Sequence, residues 1–209
     1  MRPPCKTPRA FTLIELMVVI GIIGILVGLI VPSLFGVYER ARKAQAKNEL
    51  TQIVNAVNAF YTDYGKYPTS AVTDATAIYG PEGGANTNNL LFNELRPCTA
   101  ANPNTSCTAA AVLNTRQIAF ISPRVYTTAT ARSGIASDGQ WYDPWGNPYN
   151  IKIDANYDNQ IANPYPDTAA GAPQLNIGVI GWSYGKDRTK GIKGGSPNYG
   201  GSDDVISWQ

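Results

Sequence analysis

Histidine is absent from all 209 residues. With it go the commonest general base and the commonest metal ligand, so an enzymatic reading has to fall back on paired carboxylates. Asp203 and Asp204 are adjacent, and neighbours in a strand point to opposite faces, so they make no acid/base pair. Cysteine is nearly as scarce. Cys5, Cys98 and Cys107 form no Cys-x-x-Cys pattern, which removes the usual zinc and redox motifs. The formal net charge is only +2, and Arg2, Lys6 and Arg9 supply more than that within the first ten residues, so nothing asks for nucleic acid. One absence is local: no charged residue stands between positions 16 and 37.

That uncharged run is long enough in helical form to cross a hydrocarbon core of about 30 Å, which needs roughly 20 apolar residues. It reads as a membrane span. Glu15 stands at its entrance, where an unpartnered carboxylate costs on the order of 2.5 kcal/mol or more, so a partner is required. Within the run, Gly24 lowers helix propensity and Pro32 removes a backbone hydrogen bond, so a kink or local melt between them is expected.

A basic leader, a small residue, then Phe11-Thr12-Leu13-Ile14-Glu15-Leu16 and an apolar run with Gly24 and Pro32 resemble the start of a type IV prepilin or type II secretion pseudopilin. The resemblance implies cleavage between Ala10 and Phe11 by a prepilin peptidase and methylation of the new Phe11 amine. It also implies that Glu15 meets the Phe11 amine of a neighbouring copy when subunits stack, with Gly24 and Pro32 loosening the packed helix. Ala10 stands where the family usually has Gly; as the nearest residue in size it should still be processed. Further partners implied are an assembly platform, a motor ATPase, minor pseudopilins and the inner membrane, around a homopolymer whose soluble part faces the periplasm.

Three plainer readings compete for the same stretch. The run is too long for the apolar core of a secretory signal, and the nearest Ala-x-Ala, Ala44 to Ala46, lies beyond Arg40, Arg42 and Lys43. A simple single-pass anchor gives no reason for Glu15. Arg2-Pro3-Pro4 before Cys5 is not a lipobox.

Beyond Pro32 the helix should continue to about Tyr64. Leu50, Ile53, Val54, Val57, Phe60, Tyr61 and Tyr64 recur at helical spacing, and Gly65 followed by Pro68 ends the pattern. The expected fold is α+β, a pilin fold: one long N-terminal helix on a small C-terminal antiparallel sheet with a loop-rich insertion. Its parts are a leader (1–10), a span and polymerisation helix (11–37), an amphipathic helix (38–64), a loop-rich insertion (65–140) and a sheet with an acidic loop (141–209). Inside the insertion, 89–95 hints at helix and 118–121 at strand. In an oxidising periplasm, Cys98 and Cys107 would close a disulfide loop worth roughly 2 to 3 kcal/mol, the alternative being two unpaired thiols.

Asp143-Pro144-Trp145-Gly146-Asn147-Pro148-Tyr149 reads as turn then strand, with Tyr149, Ile151 and Ile153 alternating. It resembles the first strand of the C-terminal sheet in the major pseudopilin. The run 175–180 should pair antiparallel with it, and Val205-Ile206 should begin a last strand ending at Trp208. Between them lies a Gly-rich loop with acids at both ends. It resembles the major pseudopilin calcium loop, with Asp187, Asp203, Asp204 and the carbonyl of Tyr184 as ligands. Lys186, Arg188, Lys190 and Lys193 give it more positive charge than a calcium loop prefers, and a polar turn with solvated acids is the alternative.

The function expected is therefore non-enzymatic: a structural subunit of a type II secretion pseudopilus that drives export of folded proteins. The alternatives are a type IV pilin of a surface fibre for adhesion, motility or DNA uptake, and an anchored module binding ligands on Trp141, Trp145, Tyr149 and Trp182.

Overall fold

The computed structural model describes residues 11–97, 113–128 and 132–209, and the side chains of all of these except 30–35. Ala10, Cys98 and Cys107 lie outside the described residues, as does the expected disulfide. The chain divides into two compact units, 1–41 and 42–209.

The dominant element is α1, Leu13–Tyr64. It is helical through both Gly24 and Pro32, so the expected melt is absent from the single chain. A lone Pro deletes one backbone hydrogen bond, which a long helix tolerates when its neighbouring turns stay paired. In the first unit the apolar side chains of α1 are exposed: Ile20 is 59% accessible and Leu29 73%. Among the described residues no helix is long and apolar enough to cross a membrane. The side chains of 30–35, inside the uncharged run, are not among those described.

In the second unit α1 buries one stripe. Leu50, Ile53, Val57 and Phe60 are completely inaccessible, while Tyr61 remains 40% exposed. Each fully buried apolar side chain contributes on the order of 1.5 to 3 kcal/mol. Gly65, at φ +69°, ends the helix in the left-handed conformation that glycine tolerates, its amide bonded to Tyr61 O at 2.8 Å.

The main sheet has four strands in the order β1 (Ile78–Tyr79), β4 (Asn150–Ile153), β7 (Val179–Ser183) and β8 (Val205–Ile206), all antiparallel. Two small ribbons accompany it: β2 (Gly134–Ile135) with β3 (Trp141–Tyr142), and β5 (Ile161–Ala162) with β6 (Gln174–Leu175). A short helix α2, Asn89–Leu95, lies in the insertion. Period-two alternation sorts the sheet residues onto two cores. Ile151, Ile153, Val179 and Val205 join the α1 stripe, whereas Ile180, Trp182 and Ile206 face Ile161, Tyr165 and Leu175. At Gly181 an added Cβ would come within 3.0 Å of Leu50, which is why α1 can lie close on the sheet there. Lys47 Nζ donates to the carbonyls of Ile206 (2.8 Å) and Ser207 (3.0 Å), tying the helix to the last strand.

Several expectations need correction. The element after Tyr149 is the second strand of the sheet, because the two-residue β1 pairs outside it. The run 175–180 is split. Gln174–Leu175 pairs with β5, and only from Val179 onward does the chain pair with β4. The break falls at Gly178, where a Cβ would collide with the Tyr67 hydroxyl. Residues 118–121 are not a strand; Phe120 N bonds the end of α2 through Leu95 O (3.0 Å). The last strand stops at Ile206.

Besides β1 and the apolar side chains it adds to the core, the insertion is docked by a buried amide. Asn88, fully buried, donates from Nδ2 to Trp141 O (3.0 Å) and Tyr149 O (2.9 Å) and accepts from Trp141 N (3.1 Å).

Candidate functional site

Two places carry the residues singled out in the sequence. At the start of α1, Phe11 is 83% exposed and Glu15 has a partner within its own chain. Glu15 Oε2 accepts from Thr12 N (2.8 Å) and Thr12 Oγ1 (2.7 Å), and Glu15 N bonds Thr12 Oγ1 at 3.3 Å. This is a capping box, two orphan donors of the first turn satisfied reciprocally. The Thr-x-x-Glu spacing was the available signal. It means the carboxylate is held at the helix start by its own chain. Gly24 has open space around it: a methyl group added there would meet nothing within 4 Å.

The second place is the loop between β7 and β8. Asp187, Asp203 and Asp204 offer carboxylate oxygens that all lie within 4.8 Å of one another. Asp203 and Asp204 precede β8 and are not part of it, so strand alternation does not separate them. Asp203 Oδ2 accepts from Lys186 N (2.5 Å) and Asp187 N (3.0 Å), and Asp187 Oδ1 accepts from Thr189 N (2.9 Å). Asp204 is 3% exposed; its Oδ2 accepts from Tyr165 OH and Gly191 N, both at 2.7 Å. Burial, with the neighbouring charges of Asp203 and Asp187, pushes the Asp204 carboxyl up to about 6. Its Oδ1 is buried with no hydrogen-bond partner.

The residues present fit a hard cation. An orphaned carboxylate oxygen beside two further carboxylates is what a divalent ion would satisfy. Gly185, at φ +64°, lets the chain turn against Asp203, whose carbonyl oxygen a Cβ would approach to 2.5 Å. Tyr184 follows β7 directly, with its ring against the core around Trp182. Of the loop's basic residues, Lys190 pairs with Glu82 and lies 5.6 Å from the Tyr165 ring centre, so its charge is directed elsewhere.

The turn at Asp143 braces this loop. Asp143 Oδ1 accepts from Trp145 N (2.9 Å) and Asn147 N (2.8 Å), and Oδ2 from Ser183 Oγ (2.5 Å). Asn147 Nδ2 reaches Gly185 O (2.5 Å). Burial pushes the Asp143 carboxyl up, and these donors oppose the shift. Sequence reading found a turn there but not its grip on the acidic loop, which depends on Ser183 far downstream. Trp141, Trp145, Tyr149 and Trp182 are all buried, the last two completely, so they are core and offer no stacking surface.

Comparison with known proteins gives a consistent picture for part of the chain. Residues 5–31 match the family described as prokaryotic N-terminal methylation motif. The chain is 45% identical over 62 residues to type II secretion system core protein G of Escherichia coli (strain K12), covering 30% of this chain and 43% of that protein. It is 43% identical over 65 residues to the protein of the same name from Aeromonas hydrophila, covering 31% and 46%. Against the type IV major pilin protein PilA of Myxococcus xanthus (strain DK1622) the identity is 37% over 59 residues, covering 28% and 27%. The chain thus spans less than half the length of these relatives. No solved structure matches it.

Proposed function

We propose that this chain is a pseudopilin, a structural subunit with a pilin fold that polymerises through α1 into a type II secretion pseudopilus. The observation that carries the reading is Glu15, held at the first turn of an exposed apolar helix inside a matched methylation motif. In this reading the leader is removed between Ala10 and Phe11, and the freed, methylated amine of one copy pairs with Glu15 of the next. Cleavage supplies the amine that the uncut chain lacks. The uncharged run 16–37 crosses the inner membrane before assembly, and the second unit faces the periplasm, where Cys98 and Cys107 form a disulfide. A prepilin peptidase, a motor ATPase, a platform protein and minor pseudopilins are the partners. Gly24 and Pro32 supply the give needed when helices stack. Asp187, Asp203 and Asp204, with the Tyr184 carbonyl, hold calcium; adding calcium should raise the melting temperature of the wild type, and Asp187→Ala should remove the rise.

The similarity to a major pilin favours one second reading, a type IV pilin of a surface fibre. A deletion strain complemented with wild type or Glu15→Ala separates them. Secreted proteins retained in the periplasm with fibres intact support the pseudopilin; intact secretion with lost fibres replaces it by the pilin.

A further inference from the structure

The loop joining β4 to β5 belongs to neither place described above. It reads Asp154-Ala155-Asn156-Tyr157-Asp158-Asn159-Gln160. Acid or amide side chains fall at its first, third and fifth positions, the spacing by which an EF-hand-type loop turns side-chain oxygens toward one ion. The sixth position of such loops requires a sharp turn and is ordinarily Gly. Here it is Asn159 at φ +59°, and Asn is among the few other residues that adopt this conformation readily. The backbone coils in the same sense. Asn159 N donates to Asp154 Oδ2 (2.7 Å), Asp158 N to Asn156 Oδ1 (3.0 Å) and Gln160 N to Asp158 Oδ1 (2.8 Å). Ile161 follows, completely buried, and opens β5.

Such turns form without an ion and do not argue for one. The argument comes from Asp154, which is only 2% exposed and whose Oδ1 is buried with no hydrogen-bond partner. Carboxylate oxygens of Asp154, Asp158 and Asp74 lie within 4.8 Å of one another. A buried carboxylate oxygen without a donor is disfavoured, and two more carboxylates beside it make matters worse. Oxygens no farther apart than this can share one calcium, bound at about 2.4 Å from each. Lys152 feels the charge of Asp74, but its Nζ is directed at the Ala162 carbonyl (3.4 Å).

We propose that Asp154, Asn156 and Asp158, with Asp74 from the segment after α1, form a second calcium-binding site. The twelfth position of an EF-hand-type loop normally supplies a bidentate Glu. Here it is Tyr165, whose hydroxyl is committed to Asp204 at 2.7 Å. Asp74 takes that place from outside the loop, positioned by Ala155 N, which donates to its Oδ1 at 2.9 Å. The Gln160 carbonyl stands at the seventh position, where such loops use a main-chain oxygen. Calcium suits this mixed, flexible oxygen set better than magnesium, which demands near-ideal octahedral geometry. With three carboxylates and no bidentate Glu, affinity should fall in the range of extracellular modules, about 10⁻⁴ to 10⁻³ M. The bound ion would fasten the exit of α1 to the sheet.

The test uses the full chain in detergent, stripped with EGTA and titrated with calcium, and separately with terbium excited through tyrosine. Tyr157 lies within the loop, its ring centre 5.5 Å from that of Tyr67, so an ion there should be sensitised. The wild type should show terbium emission that calcium quenches, and Asp154→Asn and Asp158→Ala should each weaken this binding by at least about tenfold. Asp203→Ala, which addresses the β7–β8 loop, should leave it in place. Asp158 is exposed, so its variant decides the matter if Asp154→Asn fails to fold. Wild-type calcium binding and emission in both variants would overturn the proposal. Loss of all binding in Asp203→Ala, with none lost in Asp158→Ala, would also overturn it while leaving the β7–β8 site standing.

Discussion

The two halves of α1 are both helical and meet opposite fates. Along 13–29 nearly every side chain is apolar and all are exposed, whereas along 46–60 a single stripe is buried without remainder. Periodicity makes the difference. An apolar residue every three or four positions gives a helix one face to set against its own sheet, but a helix apolar all round has no preferred face within the chain. Such a helix has to be covered by lipid or by other helices. The chain thus separates the energy that folds it from the energy that would assemble it, and substitutions should sort accordingly.

The largest effect expected is on assembly. Glu15→Gln keeps the capping box but removes the charge, while Thr12→Ala removes the cap at a cost of about 1 kcal/mol and keeps the charge. If the charge is what matters between copies, Glu15→Gln should abolish filaments in sheared cell fractions and Thr12→Ala should leave most of them. Equal loss in both variants would make Glu15 a helix cap and nothing more.

Next comes the buried stripe. Phe60→Ala, at a fully buried position stacked on Tyr64, should destabilise the second unit by about 3 to 5 kcal/mol in urea unfolding. Ile20→Ala, in the exposed half, should leave that midpoint unchanged. A comparable shift from Ile20→Ala would erase the distinction between the halves. Gly178→Ala should cost less, about 1 to 3 kcal/mol, as Tyr67 gives way to the added methyl.

The smallest effect concerns Glu49, where α1 meets the sheet. Its Oε2 accepts from Tyr149 OH (2.7 Å), and Oε1 is engaged by Ser133 and Gln45. Burial pushes this carboxyl above its ordinary value of 4.5. The folded chain then holds the proton more tightly than the unfolded one. Stability should therefore fall as pH rises from 4.5 through the raised value, and be level above it. Glu49→Gln should remove that part of the slope in urea midpoints measured against pH; an unaltered slope would show that Glu49 does not carry it.

How much of this could be read in the sequence follows from how local each signal is. The end of α1 at Gly65, the stripe and the β4–β7 pairing rest on periodicity and turn residues within a few positions. β1 escaped because two residues in a polar stretch carry no period, and their pairing depends on Ile151 and Lys152 far downstream. The acidic loop before β8 was legible as a composition, but its brace through Asp143 and Ser183 was not. The loop after β4 shows its spacing plainly, yet Asp74, which completes it, comes from far upstream in the second unit. Side chains that meet across such separations are settled by packing, and no window of sequence contains them.

Asn88 has one more implication. Its amide presents a donor and an acceptor to the sheet just as a peptide group would, so a single side chain stands in for a stretch of strand. A graft of new surface loops onto this region would therefore have to keep that plug, together with β1 and the α2 side chains that complete the core.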